Sequence, residues 1–220
     1  MSAPTPIQAS RPNPSRRIAN GQPDSLVYQI DNRLYVNLTD RCTLACQFCP
    51  KHNGCTEVKG HELYLNQRPE VAQILALIGD PTRFDEIVFC GYGEPTLRLQ
   101  ALLQIAQAIK AAGGRTRINT DGLGSLVHKR DIVPELAGCI DALSISLNAQ
   151  DEATYVRHCQ PSLPGSHTAV LAFIARAAEL IPEVHVSAID GLDGVDIDAC
   201  RRLTEQRGAS FRRRVLDAVG

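Results

Sequence analysis

Three cysteines within eight consecutive positions, Cys42, Cys46 and Cys49 in the stretch RCTLACQFCP, constrain this chain more than any other feature. They follow directly on LYVNL, Leu34 to Leu38, where Leu34, Val36 and Leu38 alternate with Tyr35 and Asn37 in the period of a strand. The spacing lets one short loop turn three thiolates toward a common point. That suits a metal centre and not a disulfide framework, because an odd local set cannot pair off within itself. Sulfur sites favour zinc or iron-sulfur clusters. A structural zinc site wants four protein ligands, usually as two separated pairs, and no second pair is present. A cubane cluster normally takes four cysteines, so three nearby ligands leave one iron for a group that is not protein. An open coordination position signals chemistry rather than scaffolding.

The chain of 220 residues is long enough for one well-buried domain and short for two. Residues 1 to 25, with five prolines among Ser, Asn and Arg, read as a flexible N-terminal leader, and 26 to 220 as a single domain. A net charge of -1 gives no general attraction for nucleic acid or an anionic membrane. No apolar run reaches the length of a membrane span, and Met1 to Gly21 lacks the apolar core of a secretory signal. The expected location is therefore the cytoplasm, where cysteines stay reduced unless they bind metal. Cys90, Cys139, Cys159 and Cys200 read as buried thiols, and Cys55 as a free thiol in a mobile loop. Arg212 to Arg214 read as a solvated edge strand or tail.

Beyond the cysteine loop, 50 to 67 is irregular and carries His52 and His61, which as loop histidines near a metal centre could be ligands or proton donors but are more commonly surface residues. Pro69 opens a helix with Val71, Ile74, Leu75 and Ile78 on one face. Glu86 to Cys90 reads as a buried strand, followed by a helix with Leu102, Ile105, Ala106 and Ile109 at helical spacing. Arg115 to Thr120 and Ala142 to Leu147 are further strands. Between them, Leu126 to Gly138 can hold only a brief helix, since Pro134 interrupts it. Val170, Phe173, Ile174, Ala177 and Ile181 mark another helix, Val184 to Ile189 a fifth strand, Ile197 to Leu203 a last helix, and Phe211 to Val215 a short strand. This alternation predicts an α/β fold: a parallel sheet covered by helices, with five or six units and so a partial barrel.

Active sites in such barrels gather at the carboxyl ends of the strands. Four strand ends here carry distinctive residues. One is the turn Gly91-Tyr92-Gly93-Glu94-Pro95, where glycines allow close backbone approach and Glu94 offers a carboxylate to a cationic amine. Asn119, Asp121, Ser144, Ser146 and Asn148 supply small donor and acceptor groups. Ser144, Ser146 and Asn148 share one strand face by alternation, assigned to the barrel interior, and Ser187 is a further candidate on the next strand.

Cys42-x-x-x-Cys46-x-x-Cys49, with Phe48 before the third cysteine, resembles the signature of the radical S-adenosylmethionine (radical SAM) enzymes. The phrases LYVNLTDRC, VFCGYGEPTLR, INTDG and SISLNA resemble the TatD-associated branch, in the expected order from Leu34 to Asn148. The resemblance implies a partial (β/α)6 TIM-like barrel and a [4Fe-4S] cluster on Cys42, Cys46 and Cys49. It also implies SAM at the open iron, cleaved to a 5'-deoxyadenosyl radical that abstracts hydrogen from a substrate. It assigns Gly91 to Glu94 to the SAM amino group, Asn119, Asp121, Ser144, Ser146 and Asn148 to its ribose and carboxylate, and Phe48 to the flank of its adenine. It further implies an electron donor such as flavodoxin or ferredoxin, and a pathway link to a TatD-family hydrolase. A partial barrel with no sizeable lid suits a large, even macromolecular, substrate or closure by a partner. Two other classes stay open: a glycyl-radical activase acting on a protein partner, and a non-enzymatic iron-sulfur or zinc-binding protein.

Overall fold

The computed structural model describes residues 25–54 and 57–216. The chain enters the sheet one strand earlier than the periodicity starting at Leu34 indicates. Strand β1 (Val27–Ile30) pairs antiparallel with β2 (Arg33–Val36), and Ile30 faces Arg33 across the corner Asp31-Asn32. Asp31 has φ 52°, the left-handed conformation that a two-residue hairpin loop demands and that Asp tolerates. The stretch from 50 to 67, expected to be irregular, contains a second small hairpin, β3 (Glu57–Val58) with β4 (His61–Glu62).

The remaining elements alternate: α1 (Val71–Ile78), β5 (Glu86–Phe89), α2 (Leu99–Ala111), β6 (Thr116–Thr120), α3 (Gly124–His128), α4 (Val133–Ala137), β7 (Ala142–Ser146), α5 (Glu152–Cys159), α6 (Ser166–Leu180), β8 (Glu183–Asp190), α7 (Ile197–Glu205) and β9 (Ser210–Val215). The sheet order is β1-β2-β5-β6-β7-β8-β9, parallel from β2 onward. Six parallel strands and their helices form the partial barrel that the alternation predicts. Pro134 does not end a helix; it lies in the first turn of α4, where a missing N–H costs no internal hydrogen bond. Helix α5, for which apolar periodicity gives no signal, starts at Asp151, whose carboxylate accepts from Thr154 N at 2.8 Å.

The period of two gives the sheet two unlike faces. Ile87, Phe89, Ile118, Leu143, Ile145, Val184 and Val186 join one core with Ile74 and Ile78 of α1, Leu102, Ile105 and Ile109 of α2, and Val170, Phe173 and Ile174 of α6. Burial of each such side chain stabilises the fold by about 1.5–3 kcal/mol. Alternate positions on the opposite face are largely polar: Asn119 pairs with Ser144 and Ser146 with Ser187 in strand register. An aromatic patch of Tyr28, Tyr35, Leu63, Tyr64 and Tyr92 sits at the β1–β2 edge. At the amino ends of the strands, buried Glu86 meets Arg33, Arg115 and Arg117 at 3.7, 3.4 and 2.7 Å. Charge at that end serves the scaffold, while the carboxyl ends are left for chemistry. Among the described residues no helix is long and apolar enough to cross a membrane. Cys55 and residues 1–24 of the expected leader lie outside the described residues.

Candidate cluster and cofactor site

The loop carrying Cys42, Cys46 and Cys49 is pinned from three sides by groups other than its cysteines. Glu94 N, in the turn after β5, donates to Arg41 O at 2.8 Å. Thr43 Oγ1 donates to Asp121 Oδ2, just past β6, at 3.0 Å. Ala45 N and Gln47 N donate to the carbonyls of Cys159 and His158 at 3.0 and 2.9 Å, and Ser162 N donates to Thr43 O at 3.0 Å. The last carbonyls of a helix have no partner within it; here the cluster loop supplies partners for two at the end of α5. Helix α5 is thus the main positional element that the sequence does not reveal. Its traces there are Asp151 as an N-cap and Tyr155 and Cys159 one turn apart, both fully buried.

The thiols lie in surroundings that resist charge. Cys42 is exposed at the edge of the loop, yet desolvation by the atoms packed around it, and then Asp121 and Glu94, push it up to about 12. Cys46 is raised far more, first by its hydrogen bond to Cys159 and then by burial, while Cys159 is lowered by the same bond. Burial also raises Cys49 against the backbone and charge of Lys51. Metal ligation requires thiolates, so loading must displace these protons. Among the described residues, no three His, Cys, Asp or Glu side chains are grouped to hold a single ion. Thiols that ligate three different irons of a cubane need no such convergence. An all-thiol set on one pinned loop fits an iron-sulfur cluster and not a hard cation that prefers oxygen.

Beside this loop, the turn Gly91 to Pro95 is shaped by contacts within the protein. A Cβ at Gly91 would lie 2.2 Å from Asn37 Oδ1, and one at Gly93 would lie 2.3 Å from Arg41 O and 2.4 Å from Thr39 O. These glycines, expected to admit a ligand, are required first by the loop and Asn37. Glu94 is 3% exposed and its carboxylate accepts from Thr96 N, Thr96 Oγ1, Thr120 Oγ1 and Asp121 N at 3.0, 2.7, 2.8 and 2.7 Å. Four donors match the capacity of a carboxylate, so this side chain ties the turn to β6. Burial, then Asp121, pushes Glu94 up to about 8, and burial also raises Asp121. The Tyr92 ring is buried against Tyr64, centroids 5.0 Å apart, which leaves its backbone as the part of the turn nearest a cofactor role.

Of the remaining predicted residues, Asn119, Ser144 and Ser146 are half-buried on the polar face, with Asn119 hydrogen-bonded to the Cys90 thiol. Ser187 is buried beside them. Asn148 has φ 63° and donates to Cys159 Sγ at 3.6 Å, while its Oδ1 accepts from Arg214 Nη2 at 3.2 Å. Asp121 faces the loop, with Thr43 and Cys42 Sγ on Oδ2 at 3.0 and 3.9 Å. Phe48 is half-buried and packs against the main core. The His61 ring lies tilted against Tyr28, centroids 5.0 Å apart, and His52 is lowered by burial and then Lys51. The reading of Arg212 to Arg214 as a solvated edge or tail is corrected at Arg214: it shares the inner face with Arg212 by register, and its charge bears on Cys90 and Cys159. Asn37, fully buried with Nδ2 on Leu63 O at 2.9 Å, also escaped notice, because it reads as an ordinary strand residue.

A sequence profile of the Radical SAM superfamily matches residues 36–206. The chain belongs to the radical SAM superfamily. Among its relatives it is 28% identical over 193 residues to a GTP 3',8-cyclase of Mycobacterium sp. (strain KMS), covering 87% of this chain and 53% of that protein. It is 30% identical over 190 residues to a GTP 3',8-cyclase of Corynebacterium glutamicum (strain R), covering 84% and 48%. The chain thus spans about half the length of the curated relatives it matches. Its fold is similar to Streptococcus suis SuiB bound to S-adenosylmethionine, with TM-score 0.62, 14% identity, and coverage of 86% of this chain and 41% of that one. It is also similar to methylornithine synthase (PylB), with TM-score 0.56, 14% identity, and coverage of 84% and 53%.

Proposed function

We propose that this radical SAM protein is a cytoplasmic enzyme that holds a [4Fe-4S] cluster on Cys42, Cys46 and Cys49 and binds S-adenosylmethionine at the adjacent strand ends. The observation that carries this reading is the cluster loop, pinned by Glu94 N, Asp121 and the end of α5 beside a polar sheet face. When bound, the cluster and SAM supply reductive cleavage to a 5'-deoxyadenosyl radical, which abstracts hydrogen from the substrate. The protein's part is positioning. Gly91 to Glu94 present backbone groups to the methionine amine, with the Glu94 side chain fixing the turn. Asn119, Ser144, Ser146 and Asn148 offer hydroxyl and amide groups to ribose and carboxylate. Asp121 holds the loop, and Phe48 lies by the adenine.

The phrases LYVNLTDRC and VFCGYGEPTLR support placement in the TatD-associated branch, and with it a pathway link to a TatD-family hydrolase. A flavodoxin or ferredoxin would serve as reductant, and the half-open sheet suits a large substrate. The test is electron paramagnetic resonance of the anaerobically reconstituted, reduced protein with and without SAM. A cluster signal that shifts on adding SAM, and that is lost in Cys46→Ala, supports the reading. A signal unmoved by SAM favours the electron-carrier class, and zinc in place of iron favours a zinc-binding module.

A further inference from the structure

A concave site lies beside the segment that leads into the cysteine loop. It is a cavity of about 350 Å³ between residues 38–41, residues 65–68 and the turn ending at Leu97 and Arg98, within the size range of small-molecule pockets. Leu38, Leu65 and Leu97 are among its lining residues, the first two buried in the main core. Its charged groups are Arg41, Arg68 and Arg98 against Asp40 alone. Among the described residues, none of these arginines has a carboxylate within 4 Å.

Arg98 is held firmly: its Nη1 donates to Leu38 O at 3.1 Å and to Pro69 O at 2.6 Å. Its Nε is buried and has no hydrogen-bond partner. Burial and then the charge of Arg68 disfavour its cationic form, opposed by the charge of Glu70. An oxyanion in the cavity would relieve the repulsion between the guanidinium groups. We propose that this cavity binds a small oxyanion, a phosphate or a carboxylate, at a site distinct from that of the cluster and SAM.

Occupancy has a route to the cluster loop. The backbone of Thr39 and Arg41 forms one wall of the cavity and also abuts Gly93, and Arg41 O accepts from Glu94 N. A bound anion would brace the residues just before Cys42.

The test is calorimetric titration of the full chain with phenyl phosphate, benzoate and phenol, with and without saturating SAM. Phenyl phosphate or benzoate binds one per chain with a Kd of about 1 mM or tighter, phenol binds at least about tenfold more weakly, and SAM does not displace the anion. Which anion binds better separates phosphate from carboxylate. Arg68 is exposed, so Arg68→Glu keeps the unfolding temperature and weakens anion binding by about tenfold or more. As a check free of substitutions, the anion slows hydrogen exchange at 38–41 and 65–68. Absence of saturation, displacement by SAM, equal binding of phenol, or undiminished binding to folded Arg68→Glu would each overturn the proposal.

Discussion

Replacing Glu94 with alanine removes one acceptor group from four donors, and the structure allows the cost to be worked out. The hydroxyls of Thr96 and Thr120 can rotate toward other acceptors. The amides of Thr96 and Asp121 cannot, and both are bonded to the Glu94 carboxylate in a buried setting. Each orphaned buried amide costs about 1–3 kcal/mol, so Glu94→Ala loses about 2–6 kcal/mol. The loss depends on pH. The Glu94 carboxyl is raised from 4.5 to about 8 in the folded protein, so its stabilising share is complete below the lower value and fades as pH rises through the upper one. The variant is therefore most impaired near pH 5 and less so above pH 8, and its own stability varies less across that window. Urea denaturation of the cluster-free protein under reductant, at both ends of the range, measures this. A variant within about 0.5 kcal/mol of the parent at acidic pH, or one more impaired at alkaline pH, would refute the assignment of Glu94 as a tie between the turn and β6.

Gly93→Ala forces a Cβ against the carbonyls of Thr39 and Arg41, so iron loading after reconstitution falls sharply; Gly138→Ala, whose Cβ meets only Glu135 O at 3.6 Å, leaves loading unchanged. Asp151→Ala removes the N-cap of the helix that receives the cluster loop and costs about 1 kcal/mol, read as a lowered urea midpoint, with faster hydrogen exchange at Ala45 and Gln47. Phe89→Ala empties a fully buried position on the helix-facing side of β5 and destabilises by about 3–5 kcal/mol in the same denaturation assay.

The partial barrel was legible because each long element repeats its own period: Leu102, Ile105 and Ile109 lie on the buried side of α2, and Ser144 and Ser146 fall on the face opposite Leu143 and Ile145. The loop that carries Cys42, Cys46 and Cys49 was singled out by cysteine spacing alone. The elements that escaped have little apolar content to repeat. β1 is four residues long and needs the Asp31-Asn32 corner to declare it, and α5 buries only part of one side. The internal bonds of Glu94 and the turn of Arg214 were not foreseen for a different reason. Sequence gives residue types at strand ends but not which donors have already claimed a carboxylate, nor which way an edge arginine turns; both follow from register between strands far apart in the chain.

The central claim is that Cys42, Cys46 and Cys49 hold a cluster that works on SAM at the adjoining strand ends. Its most direct test is anaerobic reconstitution with iron and sulfide, reduction with dithionite in the presence of SAM, and assay for 5'-deoxyadenosine. The account predicts that the product forms, that alanine at any one of the three cysteines abolishes it, and that Cys200→Ala, on the buried side of α7, retains it. Full product from Cys46→Ala, or a loaded cluster that neither binds nor cleaves SAM, would contradict it.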